Sequence, residues 1–137
     1  MNRRSFIVTA TASLALPSLA LAAGGTKATP EEVVQALADG KTVFVDFYTD
    51  WCTTCAAQTR AINALRKENP AYEEAITFLA VDWDQHANSD LAKALKIPRR
   101  STLVVLKGGA EFGRIVAGTS KDQIRELMDA GLAAASS

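Results

Sequence analysis

The sequence predicts a single α/β domain in which a central mixed sheet is covered by helices on both faces. Residues 42–48 are β-branched and aromatic, with apolar side chains on both sides, which is typical of a central strand. Capped helical patterns alternate with such strands, and Gly108 and Gly109 join two further strands in a hairpin. A chain of 137 residues with 48% apolar residues can bury the core of one small domain.

Eight elements are expected along the chain, in the order αβαβαββα. The first helix has Thr29 as its N-cap, Pro30 in its first turn and Glu32 in a capping box. Asn69 and Pro70 end the second helix, which begins at Cys52. The expected spans are helix 29–40, strand 42–48, helix 52–69, strand 76–84, helix 88–95, hairpin 101–118 and helix 119–135.

The first 22 residues have the pattern of an export signal that is cleaved near Ala22. Two arginines precede an apolar run, and Ala-Leu-Ala ends it in the small-x-small pattern of a cleavage site. A membrane anchor is disfavoured because the run is short and contains Pro17. "NRRSFI" resembles the twin-arginine export pattern, although Asn2 leaves the ordinary secretory route open. We therefore expect a periplasmic or otherwise exported protein whose single domain spans residues 23–137.

Charge and cysteine content limit the chemistry of this domain. Removing Arg3 and Arg4 with the signal leaves 13 basic and 15 acidic residues, so a nucleic-acid partner is not expected. The only two cysteines, Cys52 and Cys55, can be a reactive dithiol, a soft-metal site for an ion such as copper(I), or an inert disulfide in an interaction domain. A disulfide that closes so short a loop stabilises little, and the single histidine cannot complete a four-ligand zinc site. The redox dithiol is favoured.

The stretch "VDFYTDWCTTC", residues 45–55, resembles the strand, buried acid, tryptophan and Cys-x-x-Cys of the thioredoxin family. The resemblance covers residues 29–132. It implies the thioredoxin fold and a protein thiol–disulfide oxidoreductase with no cofactor beyond a redox-active Cys52–Cys55 disulfide.

The position of the cysteine pair predicts the role of each thiol. Cys52 lies at a helix N-terminus, where free N–H groups and the helix dipole favour a thiolate, so we expect it to be exposed and to attack the substrate. Cys55, one turn later, is expected to be buried and to resolve the mixed disulfide. Asp46 matches the family's buried acid and would take the proton of Cys55. Ala80 stands where the family has a lysine, and the missing charge should raise the pKa of Asp46.

Ser101 stands where the family has a cis-proline facing the cysteines. A cis bond before a non-proline residue costs about 2.5–4 kcal/mol, so we expect the Arg100–Ser101 bond to be trans or strained. We also expect Ser101→Pro to fold and to retain activity. Trp51, Arg100, Ser101 and Thr102 are the expected substrate-binding residues, in part through backbone groups that pair with a substrate peptide.

The resemblance also predicts the partners. Protein disulfides are the expected substrates, and the reducing direction is favoured by Asp46 and its sequence context. An exported reductant must be recharged, and in the family a membrane electron-transfer protein does this. We expect a monomer.

Overall fold

Five strands form one mixed sheet with helices on both faces. The computed structural model describes residues 23–137, and the predicted export signal, residues 1–22, lies outside the described residues. The strands are β1 (Thr26–Lys27), β2 (Thr42–Tyr48), β3 (Thr77–Asp82), β4 (Thr102–Lys107) and β5 (Ala110–Val116). The helices are α1 (Pro30–Ala38), α2 (Thr53–Glu68), α3 (Ala71–Ala75), α4 (Trp83–His86), α5 (Asp90–Ala94) and α6 (Lys121–Ala135).

The sheet has the strand order β1-β3-β2-β4-β5. Strand β3 runs parallel to both β1 and β2, whereas β4 is antiparallel to β2 and β5. The predicted mixed sheet flanked by helices is therefore confirmed. The predicted turn between β4 and β5, at Gly108 and Gly109, is also present.

Strand β2 lies at the centre of the sheet, and all seven of its residues are buried. Because side chains alternate between the two faces of a strand, Val43, Val45 and Phe47 pack on the side of α1 and α5. The intervening residues, which include Asp46, point to the other face, where α2, α3 and α6 cover the sheet. This alternation puts the one acid of β2 on the face that α2 covers.

Four elements of the structure differ from the sequence expectation. Strand β1 and the helices α3 and α4 were not predicted. The third strand ends at Asp82 rather than at Asp84, because the Asp82 carboxylate accepts the Asp84 N–H at 2.9 Å and begins α4. Within residues 23–137, no helix has the length and apolar character needed to cross a membrane.

Candidate active site

Cys52 is the N-cap residue of α2, and its sulfur takes part in the capping. The Cys55 N–H donates to Cys52 Sγ at 3.2 Å. A helix N-terminus leaves several N–H groups without backbone partners, so a sulfur in this position is stabilised most when it carries negative charge. The structure thus brings both cysteines to the start of the helix, as the sequence predicts, and both thiols are free.

Ser101 lies between the two sulfurs. Its hydroxyl oxygen is 3.2 Å from Cys52 Sγ and 3.0 Å from Cys55 Sγ, and the residue is fully buried. Because a hydroxyl can rotate to donate to either sulfur, one side chain serves both thiols. Ser101 therefore faces the cysteines, as the resemblance to the family implies for the residue at the position of the family's proline.

The backbone at Ser101 is strained but extensively hydrogen-bonded. Its φ angle is 63°, in the left-handed region, and none of the peptide bonds of residues 23–137 is cis, so the expected trans, strained geometry is confirmed. The Ser101 N–H donates to the Phe47 carbonyl at 2.7 Å. Proline has no N–H and requires a φ near −65°, so Ser101→Pro must lose this bond and change this backbone, and its folding stays a prediction.

The two thiols differ in acidity more than in exposure. Burial opposes ionisation of Cys52, but hydrogen bonds from Cys55, Ser101 and Arg100 outweigh it and lower its pKa from 9.0 to about 6. Burial, together with the hydrogen bond to Cys52, raises the pKa of Cys55. The expected contrast in exposure is wrong, however, because Cys52 is 6% exposed and Cys55 is 3% exposed. Acidity is what distinguishes the two thiols.

Asp46 is fully buried beneath the motif. Burial raises its pKa from 3.8 to about 7; the Gly24 N–H lowers it in part, and the nearby Cys52 raises it further. Its strand neighbour on β3 is Ala80, which provides no counter-charge. Gly24 binds Oδ2 of the carboxyl at 3.0 Å, whereas the buried Oδ1 has no hydrogen-bond partner among the described residues. Asp46 can therefore exchange a proton near neutral pH.

The residues expected to bind substrate occupy different environments. Trp51 is 62% exposed, and its indole N–H donates to Asp84 at 2.8 Å. The guanidinium of Arg100 stacks over the Trp51 ring at 4.3 Å. Thr102 is fully buried, and its hydroxyl donates to the Arg99 carbonyl at 2.7 Å, so its side chain is not available to a substrate. Trp51 and Arg100 form the surface beside Cys52.

Gln58 belongs to this site, although sequence reasoning missed it. Its side-chain amide donates to the Ser101 and Gly118 carbonyls, both at 2.9 Å, and the residue is fully buried. Gln58 ties α2 to the loop that carries Ser101. The available signal was a polar residue three positions after Cys55, on the face of the helix that continues with Ile62.

The described residues contain no group of three or more His, Cys, Asp or Glu side chains that could hold a metal ion. The copper(I) interpretation would therefore rest on the two sulfurs, with at most the Ser101 hydroxyl beside them.

Comparisons with known proteins agree with this geometry. The thioredoxin family model matches residues 24–130. A thioredoxin of Echinococcus granulosus is 33% identical over 95 residues, which cover 69% of this chain and 82% of the relative. Two crystal structures match 76% of this chain. Trxlp of Edwardsiella tarda has a TM-score of 0.64 and 26% sequence identity, and the match covers 98% of its chain. A Fasciola hepatica thioredoxin has a TM-score of 0.61 and 28% sequence identity, and the match covers 96% of its chain.

Proposed function

This chain belongs to the thioredoxin family and is a thioredoxin-like thiol–disulfide oxidoreductase, and we propose that it reduces protein disulfides in an exported compartment. Cys52 attacks, Cys55 resolves and Asp46 serves as the base. The observation that carries the proposal is the Cys52 sulfur at the N-terminus of α2, with the Cys55 N–H and the Ser101 hydroxyl each 3.2 Å away. These contacts favour a thiolate at neutral pH, and the thiolate is the nucleophile of disulfide exchange.

The reaction proceeds in two exchange steps. The Cys52 thiolate attacks one sulfur of a substrate disulfide, the substrate S–S bond breaks, and the other substrate sulfur leaves as a thiolate that takes a proton. Cys55 then gives its proton to the Asp46 carboxylate and attacks Cys52 Sγ. The mixed disulfide breaks, the second substrate sulfur leaves as a thiolate that takes a proton from water, and Cys52 and Cys55 are oxidised to a disulfide. Two electrons pass to the substrate.

Substrate binding is assigned to Trp51 and Arg100, because Ser101 is fully buried and its N–H and carbonyl are already hydrogen-bonded. The exposed indole with the guanidinium stacked on it forms a flat, cationic platform next to the attacking sulfur. An extended substrate segment with an acidic residue near its disulfide suits this platform. The oxidised protein is returned to the dithiol by a membrane electron-transfer protein, because an oxidising compartment supplies no soluble reductant of its own.

Export is supported by the amino-terminal sequence. Residues 1–22 carry the two arginines, the apolar run and the small-x-small site of a signal. Expression of the full chain, followed by cell fractionation and mass measurement, should yield an exported species that begins near Ala23. Replacing both Arg3 and Arg4 by lysine distinguishes the routes, because the twin-arginine pathway requires the pair. Full-length protein that stays in the cytoplasm would contradict export.

Trapping of intermediates tests the chemistry. Cys55→Ser should accumulate a mixed disulfide with a protein substrate through Cys52, whereas Cys52→Ser should accumulate none. The redox potential and metal content of the purified wild type, measured together, separate the alternatives. A stoichiometric soft metal ion with no turnover would favour the metal-binding interpretation, and a disulfide inert to reduction would favour the interaction domain.

A further inference from the structure

The residues that precede β1 lie against the redox centre, although they are outside the Cys-x-x-Cys motif. Ala23 is 1% exposed and packs in one cluster with Cys52, Cys55, Tyr48 and Ala80. It is followed by Gly24 and Gly25. We call residues 23–25 the strap.

Gly24 holds the strap against Asp46. Its N–H donates to Asp46 Oδ2 at 3.0 Å, and its carbonyl accepts a hydrogen bond from Arg66 at 3.1 Å. A Cβ at position 24 would lie 2.6 Å from Ile62 Cδ1 and 2.9 Å from Asp46 Oδ2. Any larger residue here would require Ile62, Asp46 or the backbone of the strap to move.

Gly25 has a separate reason to lack a side chain. A Cβ at position 25 would lie 2.6 Å from the backbone carbon and oxygen of Phe78 in β3. The chain then enters β1, which pairs with Leu79 and Ala80 of β3. The strap is thus fixed at one end by the sheet and in its middle by Arg66.

The strap makes the two oxygens of Asp46 different from each other. Oδ2 is bound by the Gly24 amide, and Oδ1 is buried without a partner among the described residues. We propose that residues 23–25 are a positioning segment that excludes water from Asp46 and orients its carboxyl so that Oδ1 receives the proton of Cys55. This inference rests on the proposed role of Asp46 as the base.

Among the described residues, few charged side chains influence Asp46, although cleavage before Ala23 would add an α-amino group at the start of the strap. Cys52 raises its pKa, and Tyr48 is the other titratable group that interacts with it. The neighbours of Asp46 on the adjacent strands are Ala80 and Leu103, neither of which carries a charge. Burial is the largest cause of the raised pKa, and the strap forms part of the covering.

Gly24→Ala in the full chain tests the strap, with Gly109→Ala as the matched control. The new Cβ at position 24 forces the strap to separate from Asp46 and Ile62 by movement of either side, whereas one at position 109 meets nothing within 4 Å. Loss of the Gly24 N–H bond alone would raise the Asp46 pKa, but burial is the larger cause, so we expect the water admitted by Gly24→Ala to lower this pKa on balance, as measured by NMR titration of the carboxyl carbon. Resolution of the mixed disulfide should slow about tenfold. This is part of the rate enhancement of about 10²–10⁴-fold that a positioned acid or base contributes. The pH midpoint of resolution should fall with the pKa, and attack by Cys52 should change much less.

The proposed role of the strap is contradicted if Gly24→Ala folds and has the same Asp46 pKa as the control, with the same pH midpoint for resolution of the mixed disulfide. If Gly24→Ala does not fold, Arg66→Met provides the test of the strap. It removes the hydrogen bond to the Gly24 carbonyl and keeps an apolar side chain on Phe78. Its control is Glu73→Gln, which breaks only the outer ion pair of Arg66. Equal Asp46 pKa values in these two variants contradict the proposal.

A separate experiment tests whether Asp46 is the base at all. If Asp46→Asn resolves mixed disulfides at the wild-type rate, Asp46 is not the base, and the catalytic part of the inference falls with it. The carboxyl titration of Gly24→Ala still measures whether the strap controls the environment of Asp46.

Discussion

Replacing Ser101 by alanine should raise the pKa of Cys52 and slow the enzyme at neutral pH. The hydroxyl lies 3.2 Å from Cys52 Sγ and donates to the thiolate. A hydrogen bond to a charged group contributes about 1.5–3 kcal/mol, and about 1.4 kcal/mol corresponds to one pH unit of pKa. Without the hydroxyl, the Cys52 pKa should therefore rise from about 6 by roughly 1–2 pH units.

Ser101→Gly separates the hydroxyl from the backbone strain at this position. Both variants lose the hydroxyl, so both should show the same rise in the Cys52 pKa. Alanine at a φ of 63° keeps the strain, whereas glycine relieves it, so Ser101→Gly should be more stable than Ser101→Ala by about 1–2 kcal/mol.

The Cys52 pKa is measured by alkylation of the reduced proteins across a pH series, with mass spectrometry to locate the label on Cys52. Ultraviolet absorbance of the thiolate gives a second value. Urea denaturation at fixed pH gives the stability difference between the two variants. The assignment of the hydroxyl is refuted if both variants fold and their Cys52 thiols titrate as in the wild type.

Three further predictions follow from the same contacts. Asp46→Asn should remove a pH-dependent loss of stability. The pKa of Asp46 is raised from 3.8 to about 7 in the folded protein, so its contribution to the free energy of unfolding is greatest below pH 4. This contribution declines by roughly 4 kcal/mol as the pH rises to 7. Urea denaturation of both proteins at pH 4 and pH 8 measures the difference, and parallel pH curves would contradict it. Ser101→Pro should lower the melting temperature, because it loses the 2.7 Å bond to the Phe47 carbonyl and cannot adopt the observed φ. Arg100→Gln should raise the Cys52 pKa less than Ser101→Ala does, because its hydrogen bond is the smaller contribution. It should also slow reduction of a peptide with an acidic residue beside its disulfide more than that of its amide counterpart.

The parts of the fold that local patterns determine were predictable from the sequence. The two-sided apolar run of β2 and the capped helix that follows it put Cys52 and Cys55 at a helix start. The position of Ala80 beside Asp46 followed from the resemblance to the thioredoxin family, in which a lysine stands at this place, and the strand register agrees with it. Strand β1 was missed because its two residues carry no periodic signal.

The contacts that tune the site were not predictable, because they join residues far apart in the chain. In the sequence, Gly24 and Gly25 look like the end of the export signal. No neighbouring residue indicates that the Gly24 N–H binds Asp46. Gln58 reads as one polar position on a helix, and its role depends on the loop carbonyls that lie opposite it. The left-handed Ser101 donates its N–H to the Phe47 carbonyl and accepts the Ala117 N–H at its own carbonyl, and no short stretch of sequence encodes these contacts.

The order in which Cys52 and Asp46 ionise predicts how the base becomes available. Cys52 has a pKa of about 6 and Asp46 of about 7, and the Cys52 charge contributes to the higher value. At neutral pH the reduced site therefore holds a thiolate at Cys52 beside a carboxyl that is still partly protonated. Formation of the mixed disulfide removes the thiolate charge, which favours the carboxylate at the moment when Cys55 must lose its proton.

Cys52→Ala should accordingly lower the Asp46 pKa relative to the reduced wild type. The decrease should be smaller than the increase that burial causes, because the Cys52 charge is the smaller effect. Oxidation of the wild type, which also removes the thiolate, should change it in the same direction. NMR titration of the Asp46 carboxyl carbon in the three samples, with Asp46→Asn to assign the resonance, measures the effect. An Asp46 pKa that is the same in all three would mean that the base is set by its burial alone and does not respond to the state of Cys52.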